Sequence, residues 1–135
     1  MGAAGAAYVF TRSGTAWSFE AYIKASNTAP ADRFGADVSL SGDGNTLIVG
    51  AIGEDSSAGG FNGDQSSNGS PSSGAAYLFS RSAGVWAQTL YIKPPTPHNA
   101  AYFGWATALS GDGNTLAVTA DFDPAGGATF LYTGH

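Results

Sequence analysis

The sequence predicts an all-β fold made of tandem four-stranded units, and three observations carry that prediction. The phrase FGADVSLSGDGNTLIVGA, from Phe34 to Ala51, returns as FGWATALSGDGNTLAVTA from Phe103 to Ala120. The shift of 69 positions (103 minus 34) also carries Gly5-Ala6-Ala7-Tyr8 onto Gly74-Ala75-Ala76-Tyr77, Trp17 onto Trp86 and Tyr22-Ile23-Lys24 onto Tyr91-Ile92-Lys93. One register through nearly the whole chain, with one variable connection, is the mark of a stacked repeat. Composition agrees: 20 glycines in 135 residues, 43% hydrophobic, 13% aromatic and only 11% charged. That is too apolar for a disordered chain and too glycine-rich for a helical bundle, but it suits short strands joined by tight turns.

The elements follow in order. Ala6–Thr11 and Trp17–Ile23 are strands that match later copies of themselves. Phe34–Leu40 alternates apolar and polar residues, the period of a half-buried strand. Ser41 to Thr46 supplies Gly, Asp and Asn, residues that accept positive φ or bond their own backbone, which is hairpin chemistry. Leu47–Ala51 is a continuous apolar run, expected where both faces of a strand are covered. Gly53–Ser73 is a long polar Gly/Ser segment that reads as a flexible surface loop. Ala75–Ser80 and Trp86–Ile92 form the third and fourth strands, joined by a turn at Ser82–Val85. Pro94, Pro95 and Pro97 then stop the pairing before Phe103. A further copy of the third-strand phrase, GATFLY at Gly127–Tyr132, closes the sequence 16 residues early, since 127 minus 74 is 53.

Four antiparallel strands repeated in tandem describe a β-propeller blade. The Phe-Gly opening of the first strand, the Gly42-Asp43-Gly44 turn, Val49-Gly50-Ala51 and the GAAYLF phrase resemble FG-GAP repeats, most closely the bacterial surface-protein versions with DRFG and SGDGNTL. FG-GAP repeats build the propeller of integrin alpha subunits, so the resemblance implies a propeller and a secreted or cell-surface parent protein. Integrin-type repeats also carry an Asp-rich calcium loop in the first hairpin. Here Ser39 and Ser41 hold ligand positions, and Leu47 falls where a late Asp belongs. Calcium wants about six to eight oxygens, several of them carboxylates. Asp43 and Asp112 are therefore read as turn formers, and no metal or other cofactor is expected.

Other polar and aromatic residues are weighed as ligand contacts. The long insertion offers Asp55, Asn62, Asp64 and Gln65, which could hold calcium, the disfavoured alternative, or grip a sugar from a propeller rim. Tyr102 ends the Pro-rich connection, and Trp105 replaces Ala36 of the earlier copy. An aromatic lining a channel or pocket could stack on a sugar ring, yet core filling is the favoured reading of Trp105. Trp17 and Trp86 sit at matching positions and read as blade packing. His98 lies in a Pro-rich connection and His135 is terminal, with no Ser or acid placed beside either by motif. A hydrolytic triad is thus a remote alternative, and the expectation is a protein that is not an enzyme.

A formal charge of −5 with five scattered basic residues gives no footprint for nucleic acid. No apolar run is long enough to insert in a bilayer. The absence of cysteine removes disulfides and thiolate metal sites. The strand count divides the chain into a partial blade at 5–24, a blade at 34–93 and an incomplete blade at 103–132, about two blades in all. Because a propeller needs about four to eight blades, the expectation is a homo-oligomeric ring, a trimer before a dimer. The start at Met1-Gly2-Ala3-Ala4 reads as an excised or engineered boundary. The functional expectation is a binding module for a carbohydrate or protein ligand, with a purely structural assembly unit as the alternative.

Overall fold

The computed structural model describes residues 2–134, which form ten strands and no helix. β1 (Ala7–Ser13) and β2 (Ala16–Ile23) make a two-stranded antiparallel sheet. The central sheet has the order β3-β4-β6-β7-β5, from Phe34–Leu40, Thr46–Ala51, Ala75–Ser82, Val85–Lys93 and Gly60–Phe61. β8 (Phe103–Leu109), β9 (Thr115–Ala120) and β10 (Ala128–Thr133) make the third sheet, in the order β10-β9-β8. The expected strands are all present, with ends shifted by a few residues.

The sheets stack face on face, which explains the burial patterns. One core lies between the first and central sheets, where Val9, Ala21 and Ile23 meet Phe34, Val49, Tyr77, Phe79 and Tyr91. A second core joins the central and third sheets, where Ile48, Leu78 and Ile92 meet Phe103, Leu116, Val118 and Phe130. β6 is covered on both sides and is buried from Ala75 to Phe79, whereas β1 alternates because only one of its sides is covered. The repeated Phe of the FG phrase is the hub of each core. Phe34 packs edge-on against Tyr77 and Phe79 at 5.4 and 6.0 Å, and Phe103 meets Phe130 at 5.4 Å.

The glycines before each third strand fix the distance between sheets. Gly5 and Gly74 make isolated parallel bridges to Phe34 and Phe103 of the following sheet. Both have left-handed φ (85° and 82°), and a Cβ on either would collide with the Phe carbonyl group.

The repeated hairpin phrase closes on itself. Ser41 Oγ donates to Asp43 Oδ1 at 2.6 Å, the same oxygen accepts from Asn45 N at 3.0 Å, and Ser41 Oγ accepts from Thr46 N at 3.0 Å. Ser110, Asp112, Asn114 and Thr115 repeat this pattern at 2.6, 3.0 and 2.9 Å. These bonds hold the Asp43 and Asp112 carboxyls below the usual carboxylate range, the Ser hydroxyl being the main cause in each. Each Asp does the turn-forming work expected of it.

The Gly53–Ser73 segment differs from the expected free loop. Its middle adds β5 as a fifth strand beside β7, through Gly60↔Lys93 and Phe61↔Ile92. Glu54, Ser56, Ser70 and Ser73 are buried. Glu54 Oε2 pairs with Lys93 Nζ at 2.7 Å, with both side chains almost fully out of solvent. Ser73 Oγ also accepts from Lys93 Nζ at 2.6 Å, while Asn27 Nδ2 and Ser56 Oγ donate to Glu54 Oε1. A buried ion pair holds only when its remaining protons and lone pairs are satisfied, and those contacts tie the loop to the sheet. Burial still pulls the Lys93 amine below its ordinary value.

Candidate functional site

The structure separates the sequence-derived ligand candidates into two groups. Most of the polar ones are occupied within the long loop. Asn62 exchanges two bonds with the backbone of Tyr91, its N donating to the carbonyl at 2.8 Å and its Oδ1 accepting from Tyr91 N at 3.0 Å. Asp64 Oδ1 accepts from the N and Oγ of Ser66, which lowers its pKa. Gln65 Oε1 accepts from Ser26 Oγ at 2.8 Å. Asp55 Oδ1 accepts from Ser72 N at 2.7 Å. These contacts shape the loop and fasten it to the connections on either side.

The second group is aromatic. Tyr102 and Trp105 come together with ring centroids 6.3 Å apart. Phe122, which sequence reasoning passed over, completes the cluster at 5.7 Å from Tyr102 and 6.5 Å from Trp105. All three contacts are edge-on, the favoured geometry for aromatic pairs. Trp105 is 47% exposed and Phe122 62%, so the cluster faces solvent and Trp105 is not core filling. Asp55 joins it indirectly, since Ser72 bonds Asp55 through its N and accepts from Tyr102 N at 3.1 Å through its carbonyl.

The local backbone belongs to the repeat, whereas the side chains do not. Tyr102 has φ 55° and Arg33, its counterpart, φ 56°, so the same left-handed step leads into β3 and into β8. Phe122 N donates to Ala101 O at 3.2 Å, just as Gly53 N donates to Asp32 O at 3.0 Å. On that shared frame, Tyr102, Trp105 and Phe122 stand where the earlier copy has Arg33, Ala36 and Gly53. Three aromatic departures from the repeat thus converge on one patch. Aligning the two copies through the loop would have revealed Phe122.

Two further features complete the surface. A cleft of about 490 Å³ opens between β2 and β7, lined by Glu20, Lys24, Trp86 and Gln88. Its acid is engaged, because Glu20 accepts from Arg81 Nη2 at 2.7 Å and from Trp86 Nε1 at 2.8 Å. Trp86 is thereby built into the first interface as expected, but Trp17 is 68% exposed. His98 belongs to the Pro-rich connection, where its carbonyl accepts from Ala101 N at 3.2 Å. His135 lies outside the described residues. Among the described residues, no three His, Asp or Glu side chains gather to hold a metal.

Fold and site together define an all-β repeat array of stacked antiparallel sheets. Residues 17–79 match the family model of the FG-GAP repeat, so the resemblance read from the Phe34-Gly35 and Gly42-Asp43-Gly44 phrases holds for that stretch. No curated protein matches the chain.

Proposed function

We propose that the chain is a non-catalytic β-propeller module that assembles with copies of itself into a closed ring and serves as a binding scaffold. The observation that carries the binding role is the convergence of Tyr102, Trp105 and Phe122, three aromatics that break the repeat, with Trp105 and Phe122 exposed beside a half-buried Tyr102. A repeat that needs only to stack has no use for them there. Exposed rings at the end of a rigid sheet suit the apolar face of a sugar ring or an apolar protein side chain. A secreted or cell-surface setting fits this role. The non-catalytic reading rests on the polar groups, since Glu54, Asp55 and Glu20 are all committed to internal partners.

Screening against immobilised glycans tests the binding role, with Trp105→Ala and Phe122→Ala as controls. The expected result is a carbohydrate class bound by the wild-type chain and lost in both variants. Binding that survives both changes rejects the patch. The structural alternative, an assembly unit without a ligand, is favoured by the internal use of Asn62, Asp64 and Gln65. A chain that binds nothing yet forms a stable ring would support it.

A further inference from the structure

Tyr8, Phe10, Trp17 and Tyr22 lie 69 positions before Tyr77, Phe79, Trp86 and Tyr91. In the central sheet this side is covered by the first sheet, and Tyr77, Phe79 and Tyr91 are 0%, 4% and 0% exposed. In the first sheet, Tyr8, Phe10 and Tyr22 are 60%, 53% and 55% exposed. The chain therefore displays both the covered and the uncovered form of one surface, and shows that the side of a neighbouring sheet covers it.

The seat for that surface also exists. Leu78 and Ile92, with Leu90 beside them, form the far side of the central sheet, and Phe130 and Tyr132 of β10 pack against that core. By repeat position, Phe130 and Tyr132 correspond to Tyr77 and Phe79, and so to Tyr8 and Phe10. β10 and β1 are versions of one strand, and both fit the outer edge of β9. Among the described residues, β10 sits there without an outer strand beside it. β1 arrives already paired to its outer strand β2, and its other edge joins no sheet among the described residues.

We infer that on assembly the β1–β2 hairpin of one copy displaces β10 and pairs with β9 of the next copy. This rests on the self-assembly proposed for the chain. The exchange builds a four-stranded blade, β8-β9-β1-β2, of which two strands come from a second chain. Among the described residues it leaves eight blade strands, the ten less β5 and β10, which is two blades of four. Tyr8, Phe10 and Tyr22 then lie against Leu78, Leu90 and Ile92 of the neighbour, as Tyr77 and Phe79 lie against Val9 and Ile23 within the chain. Charge matches as well. Lys24 corresponds to Lys93 and Asp123 to Glu54, and the exchange brings Lys24 of one copy to Asp123 of the other. Such a contact is head-to-tail and closes cyclically.

Cysteine pairs test the exchange on the full chain, which has no cysteine of its own. Ala117 faces Leu131 across β9 and β10, and Val9 is the position-mate of Leu131. Residues directly opposed in an antiparallel pair lie within disulfide range. Oxidised Ala117→Cys/Leu131→Cys locks β10 in place and is expected to be monomeric by light scattering. Reduction should restore a mass two or three times larger. The Val9→Cys/Ala117→Cys chain should instead oxidise into covalent dimers and longer ladders. A locked chain that assembles like the wild type, or an assembled Val9→Cys/Ala117→Cys chain without between-chain disulfides, overturns the exchange and leaves self-assembly standing. A wild-type chain that is monomeric at every concentration up to about 100 µM, well above the dissociation constant of a stable complex, overturns both.

Discussion

The central sheet and the first sheet carry the same aromatic phrase with opposite fates. Tyr77 and Phe79 are in the core, while Tyr8 and Phe10 are in water, although both pairs follow a Gly-Ala-Ala lead and point to the same side of their sheets. The residues themselves are nearly identical, so their own propensities cannot account for the difference. The neighbour accounts for it: β6 is sandwiched between two sheets and β1 has company on one side only. In a repeat array, burial is a property of position in the stack. A sequence copy therefore has no fixed energetic worth until the number of its neighbours is known.

The largest test of this comparison replaces the two tyrosines. Tyr77→Ala should cost about 3–5 kcal/mol in urea unfolding, the usual range for emptying a buried aromatic site. Tyr8→Ala, at concentrations where the chain is monomeric, should cost about 0.5 kcal/mol, as at other surface positions. If Tyr8→Ala becomes costly as protein concentration rises, the first sheet has acquired its missing neighbour. Equal costs in dilute protein would break the comparison.

Next in size is the ion pair. Glu54→Gln leaves the Lys93 ammonium buried without its counter-charge, and a loss of about 3 kcal/mol is expected. Amide exchange should then rise along Asp55–Ser73 before it rises in β6, because the pair fastens that segment to the sheet. Lys24→Gln, at the matching position of the first sheet, should cost less in dilute protein, since Lys24 is half-buried and donates to the Gly5 carbonyl rather than to a buried carboxylate.

A smaller gain is expected at Tyr132, whose buried hydroxyl finds no partner among the described residues. Tyr132→Phe should stabilise the third sheet by about 1 kcal/mol, the scale of an unsatisfied buried hydroxyl. It should also shift the chain toward the monomer, since a better-seated β10 is harder to displace.

The smallest effect concerns acid. The folded pKa values of Asp43 and Asp112 lie below their unfolded ones, so the stability these groups add is present above the unfolded value. It is lost as pH falls below about 4 and through the folded values. The double variant Asp43→Asn/Asp112→Asn should show a shallower loss of stability between about pH 4 and pH 2 than the wild type. Equal slopes would mean that the carboxylates add nothing to the turns.

Strand boundaries were legible in the sequence because the phrase occurs twice and each copy checks the other. Phe34, Asp43 and Val49 each had a twin at 103, 112 and 118 that confirmed the assignment. The long loop has no such twin, because the second copy is 16 residues shorter there, and the loop is where the reading failed. Its Gly/Ser composition resembles that of a free segment. The bonds that order it come from Lys93, Asn27 and Tyr91, far away in sequence. Pairing of that kind leaves no local trace. Phe122 was missed for the opposite reason: a twin existed at Gly53, but one phenylalanine in a loop attracts no notice until Tyr102 and Trp105 stand beside it.

The contacts between the inner strands carry a geometric consequence. Asp37 Oδ2 accepts from Thr107 N and Oγ1 at 2.6 and 3.0 Å, and Ser39 Oγ accepts from Leu109 N at 3.1 Å, which ties β3 to β8. The third sheet has Ala106 and Ala108 at those positions and offers no such tie to whatever follows it. If the sheets are blades of the proposed ring, a wedge laced to its neighbour in this way and one not laced would open at different angles. In the ring proposed above, the arc spanned by a chain, and with it the number of chains that complete a circle, would then depend on Asp37 and Ser39. Replacing Asp37 and Ser39 by alanine should narrow the laced wedge and favour larger circles over smaller ones.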